Sequence, residues 1–586
     1  MPDTWRDIAA RKQKQRAERI PKEWLLPSSY SVGSHSDSVL NVPRERGILT
    51  KEDLRITESY DATALVGELA AGKLRSVDVV TAYCKRAAIA QQLTNCLTEI
   101  FFEDAIARAK ELDEHFAKTG QPKGSLHGLP MSLKDCFKVK GYDASVGVAA
   151  LCFNPATTNS ALVELLLEQG AVLYCKTNVP QTMMALDSHN NVFGRTINPA
   201  NRHLTPGGSS GGEGALVAMR GSPIGIGTDV GGSIRIPAMC NGLVGVKPSH
   251  GRVPYAGQEG GMQPGSSRLA IESTAGPIAR NVRDCEMLLR AVGNASAWLF
   301  DPDVLPQVWE QQAPLHTCLP SVRVKQPLCV GIMRTDGHST PLPPIQRLMD
   351  EVAQILRSSA VPSWSVIDVV DIDITSLGPQ CLKTFNGIMS IDGANTWLDH
   401  LDKTGEPLSP WLQGRLRRRP QKSLDEVRKL QADKTELQTR FLDVWKESGG
   451  YWSTPDSKAK QGNKTLDVII CPVAPHPIPE IDSWNTTNYT SAFNLLDCPS
   501  GVLPVRAFRQ ADAEGELQRS PPLNGWDKIN RKLWTDVDRK VYVGTPLSIQ
   551  VVAPKLMDRK LVEAMAVLEQ MLSSPLHTGA EKASKL

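Results

Sequence analysis

The run Thr205–Pro237 reads T-P-G-G-S-S-G-G-E-G-A-L-V-A-M-R-G-S-P-I-G-I-G-T-D-V-G-G-S-I-R-I-P. Ten of its first 28 residues are glycine, against 45 in the whole chain of 586, so the backbone here takes conformations or close approaches that a Cβ would forbid. Ser210 and Glu213 form S-x-x-E ahead of Ala215–Met219, which predicts a capping box on a short helix stopping at Gly221. That would occupy Ser210 and leave Ser209 free to face a site. The apolar run Pro223–Gly227 then reads as a buried strand leading into Val230–Ser233.

Outward from this run, helical periodicity alternates with short apolar runs. Ala62, Leu65, Val66, Leu69 and Ala70 recur at helix spacing, and helical zones follow over Val77–Ile89 and Glu103–Lys118. Asn159 is placed to cap a helix Ala161–Gln169 that ends at Gly170, after which Ala171–Cys175 reads as a strand. Similar runs occur at Leu243–Val246, Cys329–Met333, Val468–Val473 and Leu547–Val552, the last before a helix Asp558–Leu572. This is an α/β pattern wound around a mixed or parallel sheet. Residues 1–58 read as a peripheral arm, helical first and loop-like over Pro27–Ser38; Lys422–Lys446 reads as an exposed helix and Tyr451–Lys464 as a surface loop.

Composition narrows the function. Charge is nearly balanced, 66 basic residues against 63 acidic. The one dense basic block, Arg415, Arg417, Arg418 and Arg419, is too short to imply nucleic acid or an anionic membrane. Ala161–Cys175, the best apolar candidate for a membrane span, is broken by Glu164, Glu168 and Gln169, and Met1–Lys22 has no signal-peptide core. A soluble protein is expected. The 12 cysteines include no C-x-x-C and the 11 histidines no H-x-x-x-H, so thiols in a reducing compartment and no metal are expected.

Three readings of the glycine clusters compete. A phosphate cradle lacks its lysine motif, and Gly225, Gly227 and Gly231 are one residue out of register for a dinucleotide fingerprint. A nucleophile elbow at Gly207–Gly211 lacks the strand that should precede it, because Asn201–Pro206 is polar. The third reading uses both clusters: consecutive N–H groups of Val230, Gly231, Gly232 and Ser233 form a nest for an oxyanion beside a nucleophilic Ser233, with Ser209 facing the same site. The base for such a serine could be His203 or His250, or a lysine neutralised by burial, and Lys134 sits in an otherwise apolar run. The residues alone leave that choice open.

Leu126–Asp135 (L-H-G-L-P-M-S-L-K-D), Gly207–Ala215 (G-G-S-S-G-G-E-G-A) and Gly227–Pro237 (G-T-D-V-G-G-S-I-R-I-P) together resemble the amidase signature family. The similarity continues through Lys176–Pro180, Asn198–Pro199, Cys471–Pro475 and Gly544–Gln550, and so spans roughly residues 60 to 575. Within that family Lys85–Cys96 and Pro248–Tyr255 are most similar to the fungal acetamidase branch.

The resemblance implies a large central mixed β-sheet with helices on both faces. It implies an arm 1–58, a signature domain 59–575 with its catalytic core at 125–260, and a tail 576–586. It implies an amidase with a Ser–cisSer–Lys triad: Ser233 as nucleophile, Ser209 as relay, Lys134 as base, and an acyl-enzyme. Val230–Ser233 would hold the oxyanion, Met183 would offer a backbone carbonyl to the substrate, and Met184 would line the pocket. Asp229 and Arg235 would be scaffold. The expected partner is a small amide, with no cofactor and a homodimer left open. A glutamine-amidotransferase subunit feeding ammonia to a partner, or a hydrolase of esters or longer acyl amides, is the alternative.

The chain closes on Ser584, Lys585 and Leu586, an S-K-L tripeptide read by the peroxisomal import receptor. The expectation is peroxisomal rather than cytoplasmic residence. A fluorescent reporter carrying His577–Leu586 should collect in peroxisomes, and a reporter that stays cytosolic would end this reading.

Overall fold

The six apolar runs become strands of one sheet in a computed structural model of the chain. It describes residues 3–572 except 28–29, 31–37, 263–265, 313–327, 359–367, 448–465, 484–485 and 518. The predicted loop Tyr451–Lys464 and the terminal Ser584–Leu586 lie outside the described residues.

In chain order the strands are β1 (Leu97–Ile100), β2 (Pro130–Lys134), β3 (Val172–Thr177), β4 (Ile224–Asp229), β5 (Val244–Lys247) and β6 (Thr274–Ala279). Then come β7 (Cys329–Met333), β8 (Asp368–Ile372), β9 (Val468–Pro472), β10 (Ser500–Ala507) and β11 (Pro546–Val552). They form one 11-stranded sheet in the order β1-β3-β2-β4-β6-β5-β10-β11-β9-β7-β8. Strands β3, β2 and β4 are mutually parallel neighbours, as are β9, β7 and β8, and every other pairing is antiparallel. The sheet is therefore mixed. Every residue of β2 to β6 is buried, which requires cover on both faces.

The strands that sequence patterning overlooks have local reasons for their silence. Strand β6, T-A-G-P-I-A, carries the glycine and proline that ordinarily end a strand. Gly276 is required there because a Cβ would run into the carbonyl of Val246 on β5. Strand β8, D-V-V-D-I, is a half-exposed edge whose short apolar run is interrupted by Asp371.

Two caps differ from expectation. Helix Ala161–Glu168 begins from Ser160 without a side-chain cap. Asn159 instead accepts the Lys140 N–H at 2.7 Å and donates to Glu164 at 3.0 Å. Helix Gly211–Ala218 also starts without a side-chain cap at Ser210, so the predicted capping box does not form. At its far end Arg220 takes a positive φ of 56°, and Gly221 N–H closes onto Leu216 O at 2.8 Å.

The N-terminal helix Trp5–Glu18 is more than a loose appendage. Its true capping box joins Thr4 and Asp7. Its basic face lies on the edge strand: Arg16 donates to Leu97 O at 2.7 Å and Arg19 to Glu99 at 2.8 Å. Lys12, 2% exposed, pairs with both Glu99 and Asp143. A covered edge offers no unpaired ladder to another chain. Removing one partner of a buried pair leaves the other charge without compensation. Lys12→Ala should therefore lower unfolding free energy by about 3 kcal/mol in chemical denaturation; a change within error would mean the arm is not held by this cation.

Candidate active site

Strands β2 and β4 run parallel side by side, with Ser132 opposite Gly225 and Leu133 opposite Ile226. Lys134 and Thr228 thus emerge together at the carboxyl ends of neighbouring strands, where open α/β sheets place their ligand crevices. Lys134 Nζ lies 2.7 Å from Ser209 Oγ, 2.7 Å from Thr228 Oγ1 and 3.4 Å from Thr228 O. Its side chain is 1% exposed. Burial pulls its pKa down to about 8, against the opposing pull of Cys136, Asp229 and Glu213. The next residue, Asp135, is pinned by Thr98, Ser145 and the Val146 N–H at 2.6, 2.8 and 2.7 Å, which fixes the exit of the strand.

Ser209 reaches Lys134 from the glycine-rich turn before helix Gly211–Ala218, and the Gly208–Ser209 peptide is cis. Ser188 Oγ donates to Gly207 O at 3.0 Å and accepts Gly211 N–H at 3.1 Å, bracketing the turn. Gly212 is needed for a close approach: a Cβ there would sit 2.5 Å from Asn178 O and 2.7 Å from Cys96 O. Ser210 N–H donates to Ser233 O at 3.2 Å, so the two glycine clusters meet. Ser233 is 7% exposed against 2% for Ser209 and 1% for Lys134, so Ser233 is the most accessible of the three.

The Val230–Ser233 loop is shaped by Asp229. Its carboxylate accepts Gly232 N–H at 2.8 Å and Ile234 N–H at 3.1 Å, and is clasped by Arg235 at 2.9 and 3.0 Å. Burial disfavours the charge, but the Arg235 guanidinium outweighs it and holds the carboxyl well below the usual range. Arg235 also donates to Thr490 O at 2.9 Å, Gln550 at 2.7 Å and Asn494 at 2.5 Å. These two residues are scaffold. One correction follows: Gly232 N–H is committed to Asp229 and is not a free member of the predicted nest. Gly232 is required by its φ of 132° and by the side chain of Thr490, whose hydroxyl donates to Gly231 O at 2.6 Å.

Glu213, expected to cap its own helix, instead points into the sheet. Its carboxyl lies 2.6 Å from Ser132 Oγ and 2.9 Å from Thr177 Oγ1. Met183 lies in the turn Gln181–Met183, where Thr182 and Met183 both have positive φ, 65° and 61°. Non-glycine residues held in this region in succession mark a turn fixed by its surroundings. The side chains of Met183 and Met184 are half-buried.

The rival bases sit elsewhere. His203 is exposed, with its N–H on Asn201 at 3.0 Å, and His250 pairs with Glu272 at 3.3 Å. Thr228 was not anticipated. The signal lay in two parallel apolar runs ending L-K-D and G-T-D, whose alignment sets the lysine beside the threonine. Among the described residues, no group of histidine, cysteine, aspartate and glutamate could hold a metal, and no helix is long and apolar enough to cross a membrane.

The Amidase family model matches residues 78–562. The chain is 35% identical to the acetamidase of Emericella nidulans, covering 97% of this chain and 98% of that one. It is 36% identical to the acetamidase of Aspergillus oryzae, over 97% and 99%. Among solved structures it is similar to fatty acid amide hydrolase, with a TM-score of 0.83, 26% identity, and coverage of 98% and 96%. With its fold and nearly its whole length in agreement, the chain belongs to the amidase family, hydrolases of amide C–N bonds.

Proposed function

We propose that this amidase hydrolyses a small carboxamide through an acyl-enzyme on Ser233, with Ser209 as proton relay and Lys134 as base. The observation that carries the reading is the 2.7 Å contact between Ser209 Oγ and a lysine amine that burial draws towards neutrality. A neutral amine has a lone pair to take a proton, and an ammonium has none.

Ser233 Oγ attacks the amide carbonyl as its proton passes to Ser209, whose own proton moves to Lys134 Nζ. The oxyanion is held by N–H groups of Val230, Gly231 and Ser233, each lost donor costing about 3 kcal/mol in such holes. Protonated Lys134 then returns its proton through Ser209 to the leaving nitrogen, and the C–N bond breaks. Water attacks the acyl-enzyme by the same route in reverse. The carbonyl of Met183, in its fixed turn, is the group proposed to orient the substrate amide. The acetamidases among the relatives favour a short acyl group, and the likeness to fatty acid amide hydrolase makes longer acyl amides the comparison to run.

The base sets a pH dependence. Lys134 must be neutral in the free enzyme, so kcat/KM should rise with pH and level off above an inflection near 8. Lys134→Met should remove that inflection and lower kcat/KM by roughly 10³-fold, while variants at His203 and His250 keep both; the reverse pattern would transfer the role to a histidine. Ser233→Ala should abolish labelling by a fluorophosphonate probe. Labelling that survives there and disappears only in Ser209→Ala would make Ser209 the nucleophile.

A further inference from the structure

Lys134 is not the only buried ionisable group in this part of the sheet. Glu213 lies behind it, fully enclosed, and neither the serines nor the oxyanion loop uses it. Its surroundings allow its proton to be counted. Ser222 Oγ lies 2.8 Å from Ile224 O, and a carbonyl only accepts, so Ser222 donates its single proton there. Ser132 Oγ lies 2.9 Å from Ser222 Oγ; that contact is a hydrogen bond only if Ser132 donates to Ser222. Both hydroxyl protons are then spent. The remaining contact, 2.6 Å between Ser132 Oγ and Glu213 Oε2, needs a third proton, and Glu213 is its source. The other carboxyl oxygen fits this assignment: Thr177 Oγ1 lies 2.9 Å from Oε1 and a looser 3.4 Å from Leu133 O, so its one proton goes to the nearer Oε1, as to the carbonyl oxygen of an acid.

We propose that Glu213 is a carboxylic acid in the working enzyme, and that it holds the proton Lys134 would otherwise carry. Glu213 is then a positioning residue for the reaction, and the claim deepens the reading of Lys134 as base. The exchange balances without another reactant: one Nζ–H bond breaks, one Oε2–H bond forms, and the net charge of the pair is unchanged. Ser132, Ser222 and Ile224 O form a polarised chain that fixes the proton on the carboxyl. The titratable groups that face Glu213 are Lys134, Cys96, Tyr174 and Cys175, and burial pushes up the last three so that they stay neutral. Burial likewise pushes Glu213 up to about 8, in the same direction as the proton count. Asp229, the carboxylate that remains near Lys134, is engaged by Arg235. The amine therefore has no dedicated carboxylate counter-ion, and it is met by the neutral hydroxyls of Ser209 and Thr228 and the carbonyl of Thr228.

The full-length enzyme at pH 7 should show the infrared carbonyl stretch of a protonated carboxyl that is lost in Glu213→Gln. An unchanged difference spectrum overturns the proposal. Glutamine reproduces the protonated form, its N–H₂ donating to Ser132 and its oxygen accepting from Thr177. The inflection of kcat/KM in Glu213→Gln should therefore stay within a few tenths of a pH unit of wild type. A fall of one unit or more, as expected from deleting a negative charge beside Lys134, also overturns it. Ser132→Ala removes the acceptor for the Glu213 proton. It should shift that proton towards Lys134, raising the inflection by about one unit and lowering kcat/KM about tenfold below it. An unmoved inflection in Ser132→Ala counts against the proposal. Should the glutamine variant not fold, the band can be assigned in wild type by its shift on ¹³C-glutamate labelling and its weakening in Ser132→Ala. The infrared band does not depend on Lys134. Activity surviving in Lys134→Met would sink the base reading while the band still reports on Glu213.

Discussion

The site depends on keeping an amine out of water. A lysine side chain that is 1% exposed pays for its charge with lost hydration, and the chain meets it with hydroxyls and a carbonyl rather than with a dedicated carboxylate. That choice governs the surroundings. The sheet must be covered on both faces at β2 to exclude solvent, the glycine turn must bring Ser209 within hydrogen-bond range, and nearby acids must be neutralised or otherwise paired. Asp229 is paired by Arg235.

Much of this was legible in residue order. The glycine clusters announced close backbone approach, and the structure brings them together through the hydrogen bond from Ser210 N–H to Ser233 O. Six apolar runs became strands because buried central strands carry continuous hydrophobic signal. What stayed hidden was set by tertiary contact. Glu213 has the spacing of a capping residue, yet the hydroxyls of Ser132 and Thr177, distant in the chain, drew it inward. Gly232 looked like a free donor until Asp229 turned back on its own loop to claim the N–H. The burial of Lys134 could not be read from its own segment, because it depends on strands β3 and β4 packed beside it.

The N-terminal helix shows the same logic in a structural setting. It has little apolar character, and its cations find Glu99 and Asp143 on and beside the sheet edge. Charge complementarity there does what a hydrophobic stripe does elsewhere, and a sequence reading tuned to apolar periodicity sees only a peripheral arm.

The reach of Arg235 has a consequence for how the enzyme comes to life. Lys134, Ser209 and Ser233 all lie within residues 134–233, and strands β3, β2 and β4 could assemble early as the chain emerges. Arg235, however, two residues beyond Ser233, takes Asn494 and Gln550 as partners, 259 and 315 residues further on. Contacts of that span form late, since their loops must close first. A nascent or truncated chain would hold Lys134 and Ser209 in place while the loop bearing Ser233 still lacked its anchor. That loop is thereby completed only when the last strand of the sheet has been added.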